Sequence, residues 1–300
     1  MQTVHTVWSQ WPELTVPQGF QKLSPLDFPL DNSDLSPITI YVQPYMTGIE
    51  TLEPVRAMSN LQILQVPNAG YDAAIPYVRD GITLCNAQGV HNASTAELAV
   101  GLAIAMRRGI PHFVREQDQG LWSHERMGSL NDSSIAIIGA GSIGQTLVSY
   151  LKPYEVEITT FSRSGGNGSQ LITQLDNLLP TFDIIFLILP LNADSKHLFN
   201  AQRLALMKDG ALLINVARGP IVDSDALVAE LNSGRISAAL DVTDPEPLPP
   251  DHPLWRAPNL LITPHVGGDS AAFEKRGKRF IESQLQRIAD GLAPLNIIEL

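Results

Sequence analysis

From Asn131 onward the chain alternates short runs that are apolar at nearly every position with longer stretches of helical spacing. The runs are SIAII (134–138), VEITTF (156–161), DIIFLIL (183–189), ALLIN (211–215), ISAAL (236–240) and LLIT (260–263). A strand with one wet face alternates apolar and polar residues, whereas a strand covered on both faces does not. These runs therefore read as buried parallel strands. Segments 142–152 and 224–233 carry helical spacing between them, and six such strands with intervening helices predict a doubly wound α/β sheet.

The first hundred residues repeat the theme on a smaller scale. ITIYV (38–42), LQILQV (61–66) and GITLCN (81–86) are strand-like, segment 47–60 is compatible with a helix, and residues 1–37, rich in Pro, Asp and Ser, remain unassigned. A second, smaller α/β domain follows. After it, STAELAVGLAIAMRRGIP predicts a helix capped by Ser94 or Thr95, with Glu97 in its first turn and its end near Gly109-Ile110-Pro111. Apolar nearly all round, this helix is expected to be buried. The chain closes on an amphipathic helical pattern over 271–292. The larger domain is thus read as 99–270, inserted into a smaller one made of 1–98 and 271–300.

Composition narrows the function classes. A net charge of −11 argues against nucleic acid or an anionic membrane as the main partner. The single cysteine, Cys85, permits no internal disulfide and fits a reducing cytoplasm, and its apolar surroundings read as a buried small hydrophobe. The N-terminus shows no basic segment followed by an apolar core, and the longest apolar stretch, Leu98 to Met106, is too short to span a bilayer.

The chemistry concentrates on the carboxyl ends of the strands. Directly after SIAII comes GAGSIG, in which Gly139, Gly141 and Gly144 form G-x-G-x-x-G in its diagnostic strand–turn–helix setting. The first glycine makes the turn, the second admits a pyrophosphate and the third lets helix and strand approach, while the amides of Ser142 and Ile143 open the helix toward phosphate. A dinucleotide is expected. About twenty residues on, where a carboxylate would hold the ribose hydroxyls, stand Ser162, Arg163 and Ser164. A guanidinium flanked by hydroxyls suits a 2′-phosphate, so NADP(H) is expected, with NAD(H) remaining possible if Arg163 is a solvated loop residue.

Arg218 follows the fourth run. Asp241, Asp244 and Glu246 follow the fifth, and His265 follows the sixth. An arginine can bind a substrate carboxylate and polarise a carbonyl. A histidine beside a glutamate can hold and donate a proton, the carboxylate favouring the imidazolium. Singly, each has an ordinary reading: a helix-capping arginine, a solvated loop glutamate, a satisfied turn histidine. Their joint placement on one sheet edge favours an oxidoreductase site. Among the remaining histidines no metal-ligand spacing is found.

With these segments the sequence resembles the D-isomer-specific 2-hydroxyacid dehydrogenase family over about residues 60–275. The likeness rests on GAGSIG, LPLNADSKHLFN, LMKDGALLINVARGPIVDSDAL, AALDVTDPEPLPPDHPLW and LLITPHVGG. The resemblance implies a Rossmann nucleotide domain inserted into a flavodoxin-like substrate domain, with Arg218, Glu246 and His265 as the catalytic set. It implies Pro190, Ala217, Asp241 and Gly267 near the cofactor, and the amides of Ala69 and Gly70, in VPNAGYDAAI, as carboxylate ligands. NADPH-dependent glyoxylate and hydroxypyruvate reductases are the subgroup most resembled. The expected function is hydride transfer between NADP(H) and a small 2-keto or D-2-hydroxy acid, with domain closure at hinges near 95–100 and 270. Alternatives are a formate- or phosphite-type dehydrogenase, or a non-catalytic NADP(H)-sensing protein. The family implies a homodimer through the helix after Thr95 and the arm RRGIPHFVREQDQGLW, with Trp122 at the interface, in the pocket or in the core. With no regulatory domain expected after the last helix, amino-acid feedback is not expected.

Overall fold

The computed structural model describes residues 5–300 except Asn32 and Asn167. The chain divides into two compact units, residues up to His91 with Asp269–Leu300, and Asn92–Gly268. The divisions fall at 91/92 and 268/269 rather than 98/99 and 270/271. The helix read from Ser94 begins at Asn92 and goes whole with the second unit.

The first unit is built on five parallel strands, β1 (Thr6–Trp8), β2 (Gln21–Leu23), β3 (Ile40–Val42), β4 (Ile63–Gln65) and β5 (Thr83–Cys85). Their order, β2-β1-β3-β4-β5, is the flavodoxin-like one. Strands β1 and β2 lie in the unassigned N-terminal segment, where three-residue strands among prolines leave no periodic signal. Alternate residues feed opposite faces. Trp8, Tyr41, Leu64 and Leu84 enter one core, and Val7, Ile40, Ile63 and Cys85 enter the other. The first core is closed by a 3-10 segment, Ile49–Ala57, where a helix-compatible stretch was read, and the second by the C-terminal helix Ala272–Ala289. A buried carboxamide pair ties that helix to the sheet. Gln284 Nε2 donates to Gln65 Oε1 (2.9 Å), and Gln284 Oε1 accepts from the Leu295 amide (2.7 Å). Cys85 is fully buried, and burial pushes its thiol up to about 11, which leaves it unreactive.

In the second unit, helix α1 (Asn92–Arg107) stops close to the expected end near Gly109-Ile110-Pro111, and after Gly109 a separate helix α2 (Ile110–Asp118) follows that the sequence pattern does not predict. The sheet contains seven strands: β6 (Ser134–Ile138), β7 (Glu157–Ser162), β8 (Gln170–Leu171), β9 (Ile184–Leu187), β10 (Leu212–Asn215), β11 (Ser237–Leu240) and β12 (Leu260–Ile262). Their order, β12-β11-β10-β9-β6-β7-β8, is all parallel and reverses between β6 and β9, as in the Rossmann fold. The two-residue edge strand β8 is the one that apolar runs could not show, because both its residues are exposed. Ile135 and Ile137 face the core under α1 and α3 (Ser142–Leu151), and Ala136 and Ile138 face the one under α5 (Ala201–Leu206) and α6 (Ser224–Asn232). Two-sided burial is the physical reason these runs carry no alternation. Among the described residues, no helix is long and apolar enough to cross a membrane.

Candidate active site

The glycine turn sits between β6 and α3, at the switch point of the strand order. Gly139 has φ 121°, and a Cβ there would lie 2.0 Å from the Ile188 carbonyl oxygen. One at Gly144 would lie 2.1 Å from the Gly139 carbonyl oxygen. Packing alone demands glycine at both. At Gly141 a Cβ would meet no atom within 4 Å. No protein neighbour therefore requires a bare backbone at Gly141, and the space beside it is open. Gly141 precedes the helix with extended backbone and no side-chain cap, so the first-turn amides of Ser142, Ile143 and Gly144 have no intrahelical acceptor. This is a fit for a dinucleotide pyrophosphate. Ser142 Oγ is held by Asn92 Oδ1 at 3.2 Å.

At the end of β7 the three corner residues divide. Ser162 is the last residue of the strand, not the first beyond it. Its hydroxyl accepts from the Gly165 amide (3.0 Å) and meets Ser169 Oγ at 2.6 Å, while Ser169 Oγ gives its own proton to the Gly166 carbonyl. Only Ser162 can then donate across the pair. In this arrangement its proton lies within the turn. Arg163 and Ser164 are exposed beyond it.

The catalytic candidates occupy three loops of the same unit. Arg218 lies three residues past β10. Asn215, 1% exposed, receives the Ala217 amide on Oδ1 (3.0 Å) and donates from Nδ2 to the Arg218 carbonyl (2.9 Å), which sets the loop. The guanidinium Nη1 donates to the Ala217 carbonyl at 2.7 Å. Asp241 immediately follows β11 and is 2% exposed. Its Oδ1 accepts from Thr263 Oγ1 (2.5 Å) and the Val266 amide (2.9 Å), and its Oδ2 from the Gly267 amide (2.8 Å). Asp241 thus clamps residues 263–267 from both sides. Asp241 and Gly267, expected near a cofactor, are bonded to each other in the loop that carries His265. Pro190 is exposed past β9, with its carbonyl held by Ser195 Oγ (2.8 Å), and Ala217 is buried.

His265 stands at φ 55°, its amide donating to the Asp241 carbonyl (2.7 Å). Its Nδ1 and Glu246 Oε1 are 2.5 Å apart. A carboxylate only accepts, so Nδ1 carries the proton, and Nε2 has no acceptor among the described residues. Partial burial pushes the Glu246 carboxyl up. The His265 hydrogen bond and charge, the Thr243 backbone and the Arg218 charge outweigh it and hold the group below the usual glutamate range. A charged glutamate, an oriented imidazole with one free nitrogen and a guanidinium on adjacent loops can bind an anion, polarise a carbonyl and deliver a proton.

In the first unit, Ala69 and Gly70 lie past β4. The carbonyls on either side of Ala69 are held. That of Asn68 accepts from the Ala87 amide (2.9 Å) and that of Ala69 from Asn86 Nδ2 (2.7 Å). Asn86 and Asn215 were missed as site residues. The available signal was a polar residue ending an apolar strand run.

Residues 100–267 match the model of the D-isomer specific 2-hydroxyacid dehydrogenase, NAD binding domain. The chain is 34% identical over 261 residues, 82% of this chain and 74% of the other, to a glyoxylate reductase of Thermofilum pendens. It is 33% identical over 234 residues, 73% of this chain and 71% of the other, to the glyoxylate reductase/hydroxypyruvate reductase of Mus musculus. Among solved structures, a D-isomer specific 2-hydroxyacid dehydrogenase of Xanthobacter autotrophicus, in complex with NADPH and MES, superimposes with a TM-score of 0.75 at 28% identity, over 89% of this chain and 86% of that one. The glycine turn, the ordered loops behind the sheet edge and these likenesses agree: the chain belongs to the D-isomer-specific 2-hydroxyacid dehydrogenase family and is an oxidoreductase with a nicotinamide-dinucleotide unit.

Proposed function

We propose that the protein reduces a small 2-keto acid, glyoxylate or hydroxypyruvate in kind, to the D-2-hydroxy acid with NADPH. The observation that carries the reading is the 2.5 Å His265–Glu246 pair, which leaves Nε2 as the one free ring nitrogen. When bound, the reduced nicotinamide supplies the hydride. His265 Nε2 gives its proton to the oxygen that becomes the hydroxyl, and Glu246 stabilises the protonated ring and fixes its plane. Arg218 polarises the ketone and neutralises the carboxylate, and the amides of Ala69 and Gly70 bind the carboxylate oxygens. In oxidation the same nitrogen accepts the proton.

For the cofactor, Gly141 with the α3 amides takes the pyrophosphate, and Pro190 and Ala217 line the nicotinamide side. The 2′-phosphate falls to Arg163 and Ser164, whose side chains are exposed. The support for NADP(H) over NAD(H) is that no carboxylate stands at the end of β7 to repel a phosphate. A homodimer in the cytoplasm is part of this reading. Its support is the apolar face of α2 and the segment after it, where Ile110, Val114 and Leu121 are about half exposed and Trp122 is fully exposed, which removes the core alternative for that tryptophan. The test is initial rates on glyoxylate, hydroxypyruvate and pyruvate, each with NADPH and NADH. Loss of NADPH at a rate at least ~10-fold above NADH is expected, in line with the strength of a charge-assisted pair to the phosphate. No turnover with either cofactor sinks the assignment, and an NADH preference sinks the role of Arg163. Analytical ultracentrifugation of wild type and Trp122→Ser checks the dimer.

A further inference from the structure

The loop after β4 carries an arrangement that extends beyond the two amides of Ala69 and Gly70. Three consecutive carbonyls are held by one segment of chain. The Pro67 carbonyl meets His91 Nε2 at 2.8 Å, the Asn68 carbonyl accepts the Ala87 amide at 2.9 Å, and the Ala69 carbonyl accepts Asn86 Nδ2 at 2.7 Å. A carbonyl cannot donate, so His91 Nε2 carries the proton. All three partners lie in residues 86–91, immediately past β5.

A trans peptide is planar, with its C=O and N–H pointing opposite ways. Holding the carbonyls of Pro67, Asn68 and Ala69 toward residues 86–91 therefore turns the amides of Asn68, Ala69 and Gly70 away from that segment. Among the described residues no acceptor meets any of the three. Paired backbone is the rule, and a row of unpaired amides on a loop whose carbonyls are all satisfied is an anion-binding feature. The holders are themselves fixed. Asn86 is 4% exposed, its Oδ1 takes the Gln88 amide (3.1 Å) and its backbone amide donates to the Asn296 carbonyl (3.1 Å). His91 is 6% exposed and lies flat against Phe273, with 7° between the rings.

We propose that Asn86 and His91 are positioning residues that aim three successive amides, those of Asn68, Ala69 and Gly70, at one carboxylate. This rests on the reading of the loop as the carboxylate site. A carboxylate has two oxygens with about four lone-pair directions, so three donors are a natural complement. Asn86 acts on the amide of Gly70 through the shared peptide and touches no substrate.

Two measurements on the full-length protein test this. The first is a titration with oxamate, a planar carboxylate, followed by backbone amide resonances. The amides of Asn68, Ala69 and Gly70 are expected to move together. Asn86→Asp, which keeps the acceptor for Gln88 but turns the donor into an anion, is expected to abolish their response. The second is steady-state kinetics on glyoxylate. Asn86→Ala is expected to raise KM for glyoxylate about 10-fold, with kcat and KM for NADPH near wild type and Tm lowered by the two partners it strands, and Asn86→Asp to raise it further. Shifts at Ala69 and Gly70 without Asn68, an unchanged KM, or a loss shared equally by both substrates would overturn the proposal. If wild type reduces no 2-keto acid yet the three amides answer oxamate, the reductase reading fails and the amide row stands.

Discussion

Replacing Asp241 by Asn separates two roles that the residue could have, cofactor contact or loop clamp. The side chains are nearly isosteric, so packing is preserved. One oxygen of the asparagine can still serve Thr263 Oγ1 and the Val266 amide, now as neutral bonds. Its nitrogen then faces the Gly267 amide, donor against donor, at a position where the native separation is 2.8 Å. Weakening two charge-assisted bonds and leaving one buried donor unpaired costs roughly 3 kcal/mol. Against a usual folding free energy of 5–15 kcal/mol, that is visible as a shift of the urea midpoint. The loop that moves carries His265. A displacement of about 1 Å in a proton donor lowers kcat on the order of 100-fold, with cofactor affinity held because the glycine turn is untouched. Urea unfolding, kcat and a fluorescence titration with NADPH read the three quantities. Wild-type stability and kcat combined with weakened NADPH binding would refute the clamp and return Asp241 to the cofactor.

Gly141→Ala and Gly144→Ala separate ligand room from packing: the first should keep wild-type Tm and lose NADPH binding about 100-fold, the second should unfold at lower temperature by several degrees, as thermal scans with and without NADPH would show. His265→Gln should lower kcat at least 100-fold while leaving NADPH affinity unchanged by fluorescence titration. Glu246 is held below its ordinary range when folded, so its stabilising contribution is complete above the unfolded glutamate pKa and is lost as pH falls through the lower folded value. The unfolding free energy of wild type minus that of Glu246→Gln, measured against pH, should be flat at neutral pH and close only below the usual glutamate range. Gln284→Leu strands the Leu295 amide and Gln65 Oε1 and should cost about 2 kcal/mol in urea unfolding without altering kcat.

The strands of the nucleotide unit were legible because burial on both faces forbids polar residues for several positions running, and β6, β9 and β10 follow that rule closely. Where burial relaxes, the signal goes. β8 is two exposed residues at a sheet edge, and β1 (TVW) and β2 (QKL) lie in no extended apolar run like those that revealed β3, β4 and β5. The start of α1 at Asn92 rather than at Ser94 or Thr95 follows the same logic, since a capping residue type marks a permitted end and not a required one. Arg218, Glu246 and His265 were legible because they are charged groups directly past apolar runs. The structure brings His265 and Glu246 into hydrogen-bond contact across nineteen residues of chain, and the adjacency of β11 and β12 places their loops side by side. The role of Ser162 was not legible, because it depends on Ser169, seven residues on, where proton counting needs coordinates.

What ties these loops together is a buried polar side chain at the end of a strand, used three times. Asn215 ends β10 and sets the loop of Arg218, Asp241 follows β11 and sets that of His265, and Asn86 follows β5 and sets that of Ala69 and Gly70. All three are no more than 4% exposed. A loop leaving a sheet edge has unpaired backbone groups and no ladder to pair them. A short carboxamide or carboxylate fixed in the packed core pairs several at once, and the loop becomes rigid without apolar residues of its own. That arrangement leaves the exposed positions of the loop free for chemistry. At Asp241 the two oxygens hold three donors, all of them from residues 263–267, so one short side chain orders the whole turn that carries His265.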